Sequence, residues 1–408
     1  MLWNNKGKQF DSLAQHFSKR SRIYLYGNPE LCCVFLNYML HPLLVEAIDG
    51  FVIPIGKGID TSQYEFMCFD DSILFNNHDE NHLIVLCQEG DLGERIKDRL
   101  NRAGYVRGWD YFLSTDSIWE DMNGLNHPFI PIFSLCALDK IYVSSGCIVP
   151  DTKCNLNCRD CLNFTPYIKH HITRDLKDVC EDVDLYFKWV DYSERYQVSG
   201  GEPLLYENFK EITAYIGEKY RSKIGIYETV MNGTIVPRKD ICEIIKKYDM
   251  TVYLDNYTMS IPQNIDKRKE IIDILDSYRI PWIDNTVDKW FSLNVRDTDN
   301  SKMSQLELTQ YFDYCGNPWH SFENGKLYSC NFLRFASKAG LYEEEENDYF
   351  DLNSMTVDKR MELLEFMLGY TDKGYVNFCK KCAGWSTFNK LEPVQPAIQS
   401  KGKLYEEG

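Results

Sequence analysis

What this chain lacks already narrows what it can be. No stretch approaches the ~18 consecutive apolar residues that a spanning helix needs, which excludes an α-helical membrane span. Positive charge is in deficit. With 45 Lys and Arg against 61 Asp and Glu, the net charge of −16 repels a polyphosphate surface and argues against a nucleic-acid partner. The opening MLWNNKGKQF has no apolar core leading to a cleavage site, so no secretory signal is read and the cytoplasm is the expected address. Repeats and low-complexity segments are absent, and a composition 44% apolar, 26% charged and 14% aromatic excludes disorder, collagen and coiled coil.

What is present is a 408-residue chain, enough for about two to three domains, with 15 cysteines. In a compartment that keeps thiols reduced, so many cysteines favour metal ligation or redox chemistry over structural bridges.

The periodicity predicts an α/β protein. Residues 1–114 read as a Rossmann-like parallel-sheet domain. Strands are expected at Arg22 to Asn28, Gly50 to Pro54 and Leu83 to Cys87, and helices at Glu30 to Leu43 and Asp91 to Arg102. Gly27 is the only glycine of the first turn, so the phosphate-cradling G-x-G-x-x-G is missing and a docking role is favoured over dinucleotide binding. Residues 115–139, with Asn123-Gly124, Pro128 and Pro131, read as a linker.

A second alternation occupies residues 140–300. Strands are expected at Ile141 to Val149, Tyr196 to Ser199, Lys223 to Val230, Thr251 to Asp255 and Pro281 to Asp284. Helices are expected at Leu176 to Val190, Glu207 to Tyr220, Arg238 to Tyr248 and Ile265 to Tyr278. This order fits a partial (β/α)6 barrel, whose chemistry gathers at the C-terminal ends of its strands. From 301 to 390 the pattern breaks into a smaller irregular domain: a hairpin around Asn324-Gly325, an acidic loop from Glu343 to Asp348, a helix from Val357 to Leu368 and a final cysteine pair. Residues 391–408 form a tail.

Three thiols, Cys154, Cys158 and Cys161, follow the first barrel strand. Pro150, Asn155, Asn157 and Asp160 favour a loop over a helix face. Zinc normally takes C-x2-C pairs and four ligands, so a lone trio better suits an iron-sulfur cluster with one open iron. Val198-Ser199-Gly200-Gly201-Glu202-Pro203 ends the second strand, with glycines that permit close backbone approach and a carboxylate suited to an ammonium group.

These two motifs, in this order at successive strand ends, resemble the radical S-adenosylmethionine superfamily. The resemblance implies that Cys154, Cys158 and Cys161 hold a [4Fe-4S] cluster whose fourth iron is chelated by S-adenosyl-L-methionine. It implies further that Gly200, Gly201, Glu202 and Pro203 form the cofactor-binding turn, with Glu202 on the amino group. Asn232, in Met231-Asn232-Gly233-Thr234, resembles the family's Asn-Gly turn near the adenosine. The residue before the third cysteine is commonly aromatic in the family and is Asp160 here, which leaves the adenine contact unassigned.

Cys315, Cys330, Cys379 and Cys382 have a spacing that resembles the twitch domain, the short form of the SPASM extension. That implies a second, auxiliary [4Fe-4S] cluster with full cysteine ligation; a structural zinc site with four cysteines is the alternative. A closed cluster points to electron transfer and so to an oxidoreductase: a 5'-deoxyadenosyl radical takes hydrogen from a carbinol, and the substrate radical sheds a proton and an electron. A sugar, nucleotide-linked, in surface-glycan or natural-product biosynthesis is the expected substrate, with flavodoxin or ferredoxin as electron donor. Epimerisation or dehydration of a sugar, or modification of a ribosomal peptide, are the alternative reactions, and a zinc scaffold the non-enzymatic one. Glu228, Asp255, Asn256, Tyr257, Asp284 and Asn285 stand at later strand ends and could hydrogen-bond a polyhydroxylated ligand, with Asp255 or Asp284 as base. His170, His171 and His320 receive no role, and the other eight cysteines are expected as buried small apolar residues.

Overall fold

The computed structural model describes the chain apart from residues 4, 5, 7, 9, 21, 37–47, 55–61, 63–66, 77, 115–117, 121–125, 316–318, 386–388, 403 and 405–408. It divides into two compact units, Gly7–Tyr142 and a larger one made of Met1–Lys6 with Val143–Gly408. The first few residues therefore belong with the second unit, where Trp3 N–H donates to the Thr371 carbonyl at 2.9 Å.

In the smaller unit the order is α1 (Asp11–Ser18), β1 (Arg22–Tyr26), α2 (Pro29–Phe35), β2 (Gly50–Ile53), β3 (Cys68–Asp70), α3 (Ser72–Phe75), β4 (His82–Leu86), α4 (Gly90–Arg102), β5 (Tyr111–Leu113), β6 (Ile118–Glu120), β7 (Asn126–Pro128) and α5 (Phe129–Leu138). Five strands form one sheet, β3-β2-β1-β4-β5, parallel throughout. Its central strands are near-continuous apolar runs, because a parallel sheet covered on both faces buries every side chain; Tyr24, Leu25, Ile84 and Val85 are fully enclosed. Of the helix expected over Glu30 to Leu43, residues 37–43 lie outside the described residues.

The expected linker is a correction. Residues 115–139 include the antiparallel ribbon β6–β7 and the helix α5. Asn123 and Gly124 fall outside the described residues. Pro131 sits in the first turn of α5, where backbone N–H groups have no intrahelical partner, so it interrupts nothing. Ile132, Phe133 and Leu135 are buried, and Phe133 meets Phe17 and Phe112 edge-on.

The main run of the larger unit begins at Val143, the second residue of β8 (Tyr142–Val143), and continues through β9 (Gly146–Ile148), α6 (Leu176–Trp189), β10 (Tyr192–Val198), α7 (Phe209–Tyr220), β11 (Ile224–Met231), α8 (Lys239–Lys247), β12 (Thr251–Asp255), α9 (Ile265–Tyr278), β13 (Trp282–Asn285), α10 (Gln305–Asp313), β14 (Ser321–Glu323), β15 (Lys326–Tyr328), α11 (Asn331–Lys338), β16 (Tyr349–Asp351) and α12 (Arg360–Met367). Strands β9 to β13 lie side by side in chain order, all parallel, with α6 to α9 as crossovers. Side chains alternate faces: Tyr196 and Tyr227 pack on the helical side, Tyr196 against Tyr186 and Phe187 and Tyr227 with its hydroxyl on the Thr213 carbonyl at 3.1 Å.

A sixth parallel strand comes from beyond residue 300. β14 joins the free edge of β9 and is itself the first arm of the hairpin expected around Asn324-Gly325. Both turn residues have positive φ, 51° and 76°, the geometry for which Asn-Gly is suited. Their N–H groups donate to the buried Asp182 carboxylate of α6 at 2.7 and 3.0 Å, and Arg174 pairs with the same carboxylate at 2.6 Å. The barrel and the C-terminal hairpin thus share one sheet, with no division at residue 300. Among the described residues no helix is long and apolar enough to cross a membrane.

Candidate metal and cofactor site

The three-cysteine segment follows β9 as an open loop. Its entrance is pinned by Asp151, whose carboxylate accepts from Lys153 N–H at 2.7 Å and Thr173 Oγ1 at 2.9 Å. Each sulfur meets a polar neighbour. Cys154 Sγ accepts from Leu156 N–H at 3.4 Å and Asn232 Nδ2 at 3.6 Å, Cys158 Sγ accepts from Gln399 Nε2 at 3.2 Å, and the Cys161 thiol reaches Thr165 Oγ1 at 3.6 Å. Burial pushes the Cys154 and Cys158 thiols up to about 12, with the neighbouring cysteines adding to the rise. A buried sulfur at Cys158 and a partly buried one at Cys154, each receiving N–H donors, suit thiolates whose charge a metal centre would balance.

Glu202 stands at the end of β10. Gly201 N–H donates to the Asp151 carbonyl at 3.1 Å and Glu202 N–H to the Lys153 carbonyl at 2.7 Å, so this turn lies backbone to backbone against the entrance of the cysteine loop. A Cβ on Gly201 would sit 2.2 Å from the Lys153 carbonyl oxygen, which is why glycine is required there. Asn163 Nδ2 holds the Gly200 carbonyl at 2.8 Å. The Glu202 side chain is buried; Oε1 accepts from Leu204 N–H at 3.2 Å and Oε2 from Asn232 N–H at 2.8 Å. Burial pushes its carboxyl up to about 7.

Asn232 joins the two motifs. Its backbone serves Glu202 while its side-chain amide serves Cys154 and, at 3.0 Å, Asn155 Oδ1. Pro203 opens the short 3-10 turn that follows Glu202 and is buried with it.

Asp255 ends β12 within the barrel. Tyr257 Oη donates to it at 2.6 Å and Asn285 Nδ2 at 2.5 Å, and burial pushes the carboxyl up to about 6. Asp284 does not share that face. In the β12–β13 register Asp255 lies opposite Asn285 and Leu254 opposite Asp284, so Asp284 points to the helical side, where Arg268 of α9 pairs with it at 3.0 Å. As a base inside the barrel it is therefore excluded: one position of register separates the two faces. Deeper in the barrel Arg195 grips the fully buried Glu228 through two nitrogens at 3.0–3.1 Å, and Gln197 adds a bond at 3.1 Å. The Arg195 guanidinium lies 4.8 Å from the Trp319 ring and 5.2 Å from that of Tyr253. Asn256 holds Thr286 Oγ1 at 3.1 Å. His171 contacts Thr152 Oγ1 at 3.3 Å and His320 the Met367 carbonyl at 2.9 Å, both packing roles.

The four C-terminal cysteines come from three elements: Cys315 just after α10, Cys330 at the N-cap of α11, Cys379 in the 3-10 turn Asn377–Lys381, and Cys382 at the C-cap of that same turn. Cys330, Cys379 and Cys382 are buried among Tyr328, Phe332, Leu333, Val376 and Phe378. Burial holds the Cys379 thiol well above its ordinary range, reinforced by Cys330, Cys382 and Cys315. Two residues unmarked in the sequence shape this pocket. Asn300 Nδ2 donates to the Cys379 and Cys382 carbonyls at 2.9 and 3.0 Å, and Tyr311 Oη to that of Cys382 at 2.9 Å. None of the 15 cysteines is in a disulfide, and among the described residues no three His, Cys, Asp or Glu side chains close around a single metal ion. Of the other eight cysteines, Cys32, Cys87, Cys136, Cys147 and Cys242 are buried and Cys33, Cys68 and Cys180 partly so.

No family model matches the chain, and no curated protein matches it. Among solved structures it is similar to anSMEcpe with bound AdoMet (12% identity over 65% of this chain and 94% of that one, TM-score 0.37). It is similar also to BtrN in complex with AdoMet and 2-DOIA (11% identity, 62% of this chain and 100% of that one, TM-score 0.35). A third is SuiB of Streptococcus suis bound to precursor peptide SuiA (13% identity, 84% and 95%, TM-score 0.31).

Proposed function

We propose that this chain is a radical S-adenosylmethionine oxidoreductase with two [4Fe-4S] clusters. The observation that carries the reading is Asn232, which bonds the buried Glu202 carboxylate through its backbone and the Cys154 sulfur through its side chain. Three motifs distant in sequence are thereby linked through one residue, which supports reading the buried carboxylate and the cysteine loop as parts of one site.

In this reading Cys154, Cys158 and Cys161 hold the first cluster and Glu202 receives the cosubstrate's amino group. When bound, that cluster and S-adenosylmethionine supply a 5'-deoxyadenosyl radical able to take a hydrogen atom from an unactivated carbon. The chain's own part is to orient the cosubstrate through Glu202 and the Gly200–Gly201 turn, and to wall the site from water. Cys315, Cys330, Cys379 and Cys382 fill every position of a twitch-type auxiliary cluster, which suits electron transfer rather than substrate binding. That pairing would suit oxidation of a carbinol, with Cys315, Cys330, Cys379 and Cys382 holding a group that would supply a one-electron acceptor.

A sugar, nucleotide-linked, suits the polar barrel lining of Arg195, Gln197, Glu228, Asp255 and Asn285. A flavodoxin or ferredoxin supplies the initiating electron. Epimerisation is the second reading, favoured by Cys147, a buried thiol of β9 outside both cysteine sets and 3.9 Å from Gln197 Oε1.

Anaerobic reconstitution tests the reading. About eight iron and eight sulfide per chain, with methionine and 5'-deoxyadenosine formed on reduction with S-adenosylmethionine, are expected. Zinc without sulfide contradicts it. With candidate nucleotide sugars, an oxidised product supports dehydrogenation, and a product of unchanged mass carrying one solvent-derived hydrogen supports epimerisation.

A further inference from the structure

The C-terminal residues, read from sequence only as a tail, are woven into the three-cysteine loop. Val394 forms a two-way bridge with Trp290, N–H to carbonyl at 2.8 and 2.9 Å. Pro396 accepts from Ser260 Oγ. Ala397 is fully buried beside Cys158 and Ile261, in the left-handed region with φ of 58°. From there the chain runs antiparallel along the cysteine loop: Arg159 N–H donates to the Ile398 carbonyl at 2.8 Å and Ser400 N–H to the Asn157 carbonyl at 2.7 Å. Asn157 Nδ2 reaches the Gly402 carbonyl at 2.8 Å, and Arg296 holds the Leu404 carbonyl at 2.6 Å.

At the centre of this strap is Gln399, whose amide has three partners that fix which end is oxygen and which is nitrogen. Oε1 accepts from Asn157 N–H at 2.8 Å, while Nε2 donates to the Ala397 carbonyl at 2.8 Å and to Cys158 Sγ at 3.2 Å. The orientation is over-determined. Turning the amide over would set oxygen against the Ala397 carbonyl and the sulfur, and the NH2 group against the Asn157 N–H. The chain therefore aims an N–H donor at one ligand sulfur from 241 positions away.

We infer that Val394 to Gly402 is an integral part of the three-cysteine site, and that Gln399 is a positioning residue whose N–H···S bond to the Cys158 thiolate raises the reduction potential of the centre held there. The inference rests on the proposed iron-sulfur reading of the trio. Its physical basis is that a donor on a ligand sulfur draws charge from the cluster and so favours the reduced, more negative state; hydrogen bonds to the sulfurs are among the factors that set such potentials.

The test compares full-length wild type with Q399M and Q399E, each reconstituted anaerobically. Methionine keeps the length of the side chain and removes all three bonds; glutamate keeps an acceptor for Asn157 N–H and removes the donor to Cys158 and to the Ala397 carbonyl. Iron and sulfide content, midpoint potential by spectroscopically followed titration, and amide hydrogen exchange at Asn157 and Arg159 are read together. Both variants are expected to carry a full trio cluster at a more negative potential than wild type, with Q399E keeping the exchange protection of Asn157. A wild-type potential in variants that load iron fully overturns the role of Gln399. Exchange of Asn157 and Arg159 as fast in wild type as in an unstructured peptide overturns the strap. A wild-type chain that takes up no iron and sulfide defeats the underlying reading, a result distinct from both.

Discussion

The two cysteine sets of the larger unit are built in opposite ways. Three of the quartet, Cys330, Cys379 and Cys382, sit in an apolar cluster with Phe332, Leu333, Val376 and Phe378, and the Cys379 and Cys382 carbonyls are held by Asn300 and Tyr311. The trio lies in a loop whose walls are borrowed: the Gly200–Gly201 turn, Asn232 and the strap, each bonding across long sequence distances. Three of the quartet's thiols are thus enclosed by apolar side chains, whereas two sulfurs of the trio, those of Cys154 and Cys158, accept from amide groups. The difference teaches that ligand number is only half of the design. The quartet's environment is part of the core, so losing it costs stability, whereas the trio's environment is assembled on top of a finished barrel, so losing it costs chemistry.

Exchanging single ligands gives the largest contrast. Cys158→Ala is expected to abolish cleavage of S-adenosylmethionine and lower iron from about eight to about four per chain, with little change in thermal unfolding. Cys379→Ala is expected to lose a similar amount of iron and to melt at a distinctly lower temperature, because Cys379 packs in the large apolar cluster with Tyr328, Phe332 and Phe378, whereas among the described residues the buried apolar neighbours of Cys158 are only Ile261 and Ala397. Equal melting temperatures for the two variants would erase the contrast.

Gly201→Ala comes next. Its Cβ meets the Lys153 carbonyl at 2.2 Å, so the turn must move, at a cost of about 1–3 kcal/mol, and Glu202 moves with it. Weakened S-adenosylmethionine binding with an intact quartet is the expected result, measured by calorimetry and by iron content. The corresponding change on the other side is Asn300→Ala. It leaves the Cys379 and Cys382 carbonyls without their amide donor and is expected to destabilise by about 1–3 kcal/mol without altering S-adenosylmethionine affinity.

The smallest effect is one of pH. Burial pushes Glu202 up to about 7, so its carboxylate form is present above that pH and is lost as pH falls through it. Affinity for S-adenosylmethionine is expected to drop about tenfold per unit below pH 7, through proton linkage. Glu202→Gln should flatten this profile.

Much of this architecture was legible in the residues. The bounds of β12 and α9 follow directly from Thr251 to Asp255 and Ile265 to Tyr278, where apolar periodicity is clean and Pro281 follows the helix. Helix α5 was hidden because FIPIFSLCAL is apolar all round and shows no amphipathic period, while Pro131 imitates a breaker. The placement of Asp284 failed on a single position of strand register, invisible until β13 is paired. β14 on the edge of β9, and Gln399 on Cys158, are contacts between segments over 170 and 240 residues apart, and no local pattern encodes them. For the sites, the thiol spacing and the Gly-Gly-Glu turn were readable because they are local. Asn300, Tyr311 and the strap were not, because each acts through a backbone carbonyl or a sulfur supplied by another part of the chain.

The most direct test of the central claim is electron paramagnetic resonance of the anaerobically reduced, reconstituted chain with and without S-adenosylmethionine. The account predicts that the cosubstrate changes the signal of one [4Fe-4S] centre and leaves the second unaltered, and that Cys158→Ala removes the responsive signal alone. A spectrum indifferent to S-adenosylmethionine would contradict it.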